Sequence, residues 1–172
     1  MYSLQNAGII NVHFMLHSMG ARVFFSAWNR IRDLFIEDTV DLEELEPEVI
    51  AKKSSSKDLS KSTAAKLHEA LNVDALRRSG TTLDGERKML VSNVILLNPD
   101  YEVSKFREDA PSLQRYCPRI TLYVDRRDAA LKLGQSCTGR VSLGVLMESI
   151  VDVHGVEIDM DIIDTTDLQS NV

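Results

Sequence analysis

The sequence is poor in cysteine and contains no long apolar run. Cys117 and Cys137 form neither a C-x-x-C pair nor a disulfide framework. No apolar stretch approaches the length that spans a bilayer, and no basic segment followed by an apolar one marks a secretory signal. We therefore expect a cytoplasmic protein with reduced thiols and no transmembrane segment.

Positive charge is also scarce. The 172 residues include 20 Lys and Arg against 26 Asp and Glu, which gives a net charge of −6 at pH 7. This balance argues against a general affinity for nucleic acid or anionic membranes. The apolar fraction of 44% and the length are those of a globular protein, so we predict one domain over residues 1–172.

The most informative segment is an apolar stretch that ends abruptly at a small polar residue and a glycine. Residues 9–16 are predicted to form a strand buried on both faces, and helical periodicity follows over residues 19–32. A sharp strand-to-helix turn exposes a serine hydroxyl, and the next N–H, at a helix N-terminus, can stabilise an oxyanion. Ser18 is therefore the candidate nucleophile and the Met19 N–H the candidate oxyanion donor.

One position departs from the usual Gly-x-Ser-x-Gly motif. Leu16 stands where the first glycine is expected, and small residues suit that position because strand and helix approach closely there. The alternative interpretation is an ordinary strand-to-helix connection in which Ser18 caps the helix.

A charged segment then interrupts the apolar pattern. Residues 37–48 hold seven acids and no base, and lysines surround the serines at 54–56. We predict an insertion at about 37–88 that is least ordered over residues 38–60, with a helix from Ser62 to Gly80. The insertion is either a lid over a site or a surface excursion with no role in it.

Three further strands are predicted at residues 89–97, 119–124 and 156–163, and a short helix is expected near Ala129. The first two strands are almost continuously apolar, whereas the last alternates as a strand near a sheet edge does. Strands separated by helical segments predict an α/β protein with three layers, a mostly parallel sheet with flanking helices.

The order of these landmarks resembles the α/β-hydrolase superfamily, and most of all a poorly characterised esterase-like branch with a His-Ser-Met-Gly elbow. The resemblance covers residues 9–36 and 89–167, and it is carried by the segments LHSMGARV, VILLNPD, RITLYVDRRDAALKL and IIDTT. It implies a partial α/β-hydrolase fold. It also implies a serine hydrolase of esterase or lipase type that acts on a small-molecule ester through an acyl-serine intermediate, without a cofactor or metal.

In that superfamily the triad runs serine, acid, histidine along the chain. The resemblance implies Ser18 as the nucleophile and Asp128 as the acid that orients the imidazole. Asp125, which is nearer the strand end, is the runner-up. Either carboxylate can instead be a turn residue or a helix cap.

No histidine stands after the last strand, where the resemblance assigns the base. His17 adjoins Ser18 on another side of a tight turn, and His13 lies within the strand. His68 falls in the insertion, and His154, which precedes the last strand, is only a weak substitute. His13 and His17 lack a third ligand, so no metal site is predicted.

The superfamily also has strands and an oxyanion loop before the elbow, whereas only ten residues precede Asn11 here. We therefore expect a C-terminal part of a hydrolase domain that is inactive as this chain, whether as a gene-model fragment, a split gene or a decayed copy. The alternative is a non-catalytic protein of hydrolase-like fold that serves as a binding or scaffold protein.

Overall fold

The computed structural model describes residues 4, 6–37, 72, 75–76, 81–82 and 85–168. The predicted low order over 38–60 and the predicted helix from Ser62 to Gly80 lie outside these residues, apart from isolated helical positions. One of those positions, Leu76, is fully buried and packs with Ile36 and Leu90 in a small second cluster.

Four parallel strands form the sheet in the described part of the chain. They are β1 (Asn11–His17), β2 (Leu90–Leu97), β3 (Ile120–Val124) and β4 (Asp161–Asp164), in the spatial order β1-β2-β3-β4. Because all four strands run the same way, their carboxyl ends meet at one edge of the sheet. The predicted parallel α/β architecture is confirmed.

In the described ranges three α-helices accompany the sheet: α1 (Gly20–Ile31), α2 (Val103–Gln114) and α3 (Ala129–Thr138). The ring of Phe24 in α1 packs 4.9 Å from the ring of Phe14 in β1, which places α1 on that face of the sheet. The indole N–H of Trp28 donates to the Ser112 hydroxyl at 3.3 Å and so joins α1 to α2. These contacts build the main core between the helices and one face of the sheet.

The other face of β1 is open, so the prediction that this strand is buried on both faces is wrong. His13, Met15 and His17 are exposed, and Met15 is 67% exposed, whereas Phe14 points to the helices. Side chains alternate across a strand, so a helix on one face leaves the odd-numbered residues uncovered. Apolar composition alone does not reveal what packs against each face.

The last strand is shorter than the predicted 156–163, because its first half pairs elsewhere. Ile158 N–H donates to Ile150 C=O at 2.8 Å, and Val151 and Glu157 form an antiparallel bridge. Only Asp161–Asp164 joins β3. An alternating pattern fits a local hairpin as well as an edge strand, so the sequence did not distinguish the two.

Hydrogen bonds to two carboxylates make part of the stability sensitive to acid. The backbone N–H of Val156, with that of His154, lowers the pKa of Asp152, and the Thr166 side chain and N–H lower the pKa of Asp164. Since both folded-state pKa values lie below the unfolded ones, the stabilisation is complete above the unfolded pKa and is lost as pH falls through the folded pKa.

We therefore expect Asp152→Asn and Asp164→Asn each to reduce the loss of stability between about pH 5 and pH 2. Urea midpoints measured across this range test it. Asp161→Asn is the control, because its carboxylate accepts no hydrogen bond from the described residues. Variants that lose as much stability as the parent protein would show that these carboxylates do not contribute.

Candidate active site at the carboxyl edge of the sheet

Ser18 follows β1 directly and has a left-handed backbone, with φ 48°. Its N–H donates to the Leu97 carbonyl at 3.1 Å, and its own carbonyl accepts from the N–H groups of Ala21 and Asp100 at 3.3 and 3.0 Å. A non-glycine residue in this conformation carries roughly 1–3 kcal/mol of strain, which surrounding contacts must offset. The serine is thus held in a sharp turn at the edge of the sheet.

Asn98 is the second strained residue, with φ 40°. His17 and Leu97 are register partners, so Ser18 and Asn98 lie side by side where β1 and β2 end. The Asn98 N–H donates to the Tyr123 carbonyl of β3 at 3.0 Å. Sequence reasoning missed Asn98 as a site residue, although an asparagine before proline at a strand end was an available signal.

Met19 precedes α1 in helical conformation, with φ −61° and ψ −18°, and no side chain caps the helix. The sequence alternative of Ser18 as a side-chain cap is therefore not observed. Within the described ranges no hydrogen bond engages the Met19 N–H. Free amides at a helix N-terminus favour anions, so this N–H can donate to a ligand oxygen.

Asp128 caps the N-terminus of α3. Its Oδ1 accepts the N–H groups of Ala130 and Leu131, both at 3.0 Å, which is the helix-cap role that the sequence left open. Its Oδ2 lies 3.5 Å from the Asn98 amide nitrogen. The cap fixes the carboxylate at the same edge as Ser18 and leaves one oxygen directed away from the helix.

Asp125 is placed differently. It is 2% exposed, and its Oδ1 accepts the Arg127 N–H at 2.7 Å. Its own N–H donates to the Gly144 carbonyl at 3.0 Å. This carboxylate therefore closes its own turn and is less accessible than that of Asp128.

An ion pair ties the loop after β2 to the serine turn. Arg22, in the first turn of α1, donates from Nη2 to Asp100 Oδ1 at 2.7 Å and from Nε to the Asp100 carbonyl at 2.8 Å. The Asp100 N–H in turn donates to the Ser18 carbonyl. These contacts support the strained backbone of Ser18 from two neighbouring segments.

Gly144 packs against the loop that follows β2 at the same edge of the sheet. Its N–H donates to the Pro99 carbonyl at 3.1 Å. A Cβ at this position would lie 2.7 Å from the Asn98 carbonyl carbon and from Leu131 Cδ1. Only glycine allows this close approach. Sequence reasoning missed this role as well.

The described histidines have surroundings that do not include the Ser18 hydroxyl. His13 Nδ1 lies 2.7 Å from the Asn93 amide nitrogen, and His17 is exposed on the same open face of β1. His154 is exposed in the turn of the hairpin that precedes β4. His68 lies outside the described residues. Among the described histidines none forms a hydrogen bond with the Ser18 hydroxyl.

A cavity of about 580 Å³ lies between α1, α2 and α3, and neither Ser18 nor Asp128 lines it. In the described part of the chain no three His, Cys, Asp or Glu side chains group as a metal site. No helix among the same residues is both long and apolar enough to cross a membrane.

Comparison with known proteins agrees with this architecture. Residues 1–171 match the family described as "alpha/beta hydrolase of unknown function (DUF900)". No curated protein and no solved structure matches the chain. The match covers nearly the whole sequence and confirms the α/β-hydrolase resemblance. The chain therefore belongs to this alpha/beta-hydrolase family.

Proposed function

We propose that the chain is a serine hydrolase of esterase type, with Ser18 as its nucleophile. The observation that carries the proposal is the left-handed φ of 48° at Ser18, between β1 and α1, in a member of an α/β-hydrolase family. A nucleophile elbow has this geometry, because the sharp turn lifts the hydroxyl out of the sheet edge.

The reaction would proceed through an acyl-serine intermediate. Ser18 Oγ attacks the ester carbonyl as a base takes its proton, and the Met19 N–H donates to the oxygen that becomes negative. Collapse of the tetrahedral species breaks the ester C–O bond, and the alcohol leaves with a proton. Water then hydrolyses the acyl-serine to release the acid.

Asp128 is the better candidate for the triad acid. Its Oδ2 stands beside the Asn98 amide and is free of the helix cap, whereas Asp125 is almost fully buried in its own turn. A carboxylate at the sheet edge can orient an imidazole and stabilise its charged form.

The mechanism requires a base within hydrogen-bond reach of the Ser18 hydroxyl. Since no described histidine is hydrogen-bonded to the Ser18 hydroxyl, we expect the 172-residue chain to hydrolyse p-nitrophenyl acetate no faster than its Ser18→Ala variant. A serine hydroxyl without a base is a poor nucleophile at neutral pH. Ser18-dependent turnover would overturn this expectation, and His154→Ala would then test the substitute base.

Imidazole added to the solution supplies a base that no described histidine provides to Ser18, and it tests the nucleophile itself. We expect it to accelerate acetylation by p-nitrophenyl acetate in the parent protein, with the acetyl group located on the Ser18 peptide by mass spectrometry. Ser18→Ala should show only the background rate of imidazole alone. Acetylation at another residue, or equal rates in both proteins, would reject Ser18 as the nucleophile.

A non-catalytic binding protein is the second candidate function. The observation in its favour is that no described histidine forms a hydrogen bond with the Ser18 hydroxyl. The imidazole experiment separates the two functions, because a chain that only binds a partner gains no Ser18-dependent acetylation.

A further inference from the structure

The outer edge of β1 carries backbone groups that no described strand uses. The Ile10 carbonyl accepts the Leu90 N–H of β2 at 2.7 Å, and the Ser18 N–H donates to Leu97 at 3.1 Å. Alternate residues of a strand direct their hydrogen-bonding groups to opposite edges, so the odd-numbered residues of β1 direct theirs away from β2. Among the described residues these N–H and C=O groups have no backbone partner. They are therefore free to pair with another strand.

The two edges of the sheet differ in their protection against such pairing. At the far edge, β4 has only four residues, and exposed carboxylates stand at its ends, Asp161 and Asp164. At the near edge, β1 has seven residues and contains no lysine, arginine, acid or proline. Short edge strands and charged side chains deter pairing with a second chain. The edge of β4 is thus protected, whereas the edge of β1 is not.

Helix α1 adds an uncharged surface beside this free edge. Trp28 points from α1 to α2, and Arg22 and Asn29 line the cavity on that side of the helix. The opposite flank of α1 therefore lies on the side of the free edge of β1. Spacings of three and four residues place four uncharged residues on this flank: Gly20, Val23, Ala27 and Ile31. Val23 is 66% exposed. An uncovered apolar flank next to an unpaired strand is typical of an interface.

The charge of this part of the chain indicates what can bind there. The protein has 26 acidic residues and a net charge of −6, yet residues 1–32 contain none of those acids. Two copies of an acidic protein repel each other unless their contact surface excludes carboxylates. All of β1 and α1 comes from the acid-free stretch. A second copy of this chain can therefore approach β1 without bringing carboxylates of the two strands or helices together.

We propose that β1 pairs with β1 of a second copy in antiparallel orientation, so that two four-stranded sheets become one sheet of eight strands. Phe14, the middle residue of β1, lies at the two-fold axis, and His13 stands opposite Met15 of the second copy. The uncharged flanks of the two α1 helices then face each other on the same side of the sheet. Because this contact uses both free edges and leaves only the protected β4 edges, assembly stops at the dimer.

The size of this surface predicts the strength of the dimer. A seven-residue strand is about 23 Å long, and the flank of a twelve-residue helix is about 18 Å long. Together they would bury on the order of 1,000 Å² in total, which is at the lower end of specific interfaces. We therefore expect a dimer that dissociates in the micromolar range. This inference does not depend on the proposed role of Ser18.

Sedimentation equilibrium of the 172-residue chain from about 1 to 200 µM tests the assembly. The mass should rise from monomer to dimer and no further. Hydrogen exchange followed by NMR tests the contact itself, because the outward N–H groups of His13 and Met15 should be protected only at high protein concentration. The N–H groups of Val12 and Phe14, which point to β2, should be protected at every concentration.

Met15→Pro removes an outward N–H that β2 does not use, and its ring occupies the space of the second strand. We expect it to weaken the dimer at least tenfold, whereas Met15→Val, which keeps the N–H, should not weaken it. Val23→Glu tests the helix flank separately, since it places like charges near each other across the two-fold axis. It should weaken the dimer roughly tenfold. Asn29→Glu, on the cavity side of α1, is its matched control and should have no effect.

Circular dichroism establishes that each variant is folded, and Val23→Glu decides the question if Met15→Pro is not. A monomer at all concentrations, or assembly that continues beyond the dimer, would overturn the proposal. So would a dimer in which the His13 and Met15 amides exchange freely, or one that folded Met15→Pro and Val23→Glu leave unchanged. Equal weakening by Asn29→Glu and Val23→Glu would remove the α1 flank from the interface and contradict the proposed geometry.

Discussion

Trp28→Ala is expected to lower the free energy of unfolding by about 3–5 kcal/mol. Trp28 is 2% exposed, and its ring stacks on Phe35 at 6.0 Å and meets Tyr116 edge-on at 5.4 Å. Its indole N–H donates to Ser112 across to α2. The substitution leaves a cavity where α1, α2 and the sheet meet, and it removes a hydrogen bond between the helices. Urea denaturation followed by circular dichroism measures the loss.

Val23→Ala is the matched control on the same helix, because Val23 is 66% exposed. An exposed substitution of this kind should change stability by no more than about 0.5 kcal/mol. Similar losses for the two variants would mean that the Trp28 side of α1 does not form the centre of the core.

Gly144→Ala is expected to lower the free energy of unfolding by about 3 kcal/mol and to displace the loop after β2, which carries Asn98. The added methyl group would lie 2.7 Å from the Asn98 carbonyl carbon and 2.9 Å from the Pro99 nitrogen. Backbone atoms cannot turn away as a flexible side chain can, so the loop after β2 must shift. The urea midpoint reports the loss of stability, and the Asn98 amide resonance reports the displacement.

Gly134→Ala provides the comparison for this substitution. Gly134 lies inside α3, and a Cβ there meets nothing within 4 Å. Alanine is favoured over glycine in a helix interior, so the free energy of unfolding of this variant should rise by up to about 1 kcal/mol. A Gly144→Ala protein as stable as Gly134→Ala, with an unmoved Asn98 resonance, would refute the bracing role.

Local patterns were sufficient for much of the fold. The apolar segment before Ser18 and the periodicity after it predicted β1 and α1 to within a few residues. A helix was expected near Ala129, and α3 begins at that residue with Asp128 as its cap. The parallel sheet followed from the alternation of strands and helical segments.

The errors have a common physical cause, since they depend on contacts between distant segments. The open face of β1 is set by which helices pack on it, and the early part of the predicted last strand pairs with Val151 instead of the sheet. Helix α2 was not singled out, and Pro111 in its interior weakens the helical signal there.

Contacts between distant segments also determine those parts of the candidate site that the sequence did not predict. A short motif is enough to indicate Ser18, and the order of segments indicates Asp128. Asn98 lies beside Ser18 because of the register between β1 and β2, and Gly144 contacts Asn98 because two segments distant in sequence approach closely. Residues of α1, α2 and α3 line the cavity together, so no single stretch of sequence predicts it.

The paired strain at Ser18 and Asn98 has a consequence for how this protein can change. Glycine adopts a positive φ without steric cost, so a glycine at either position would relieve strain of roughly 1–3 kcal/mol and raise the melting temperature. The same substitution would delete the hydroxyl or the amide at the edge of the sheet. If Ser18 is the nucleophile, as we propose, a glycine that stabilises the fold at this position would abolish hydrolysis, so stability and activity oppose each other there.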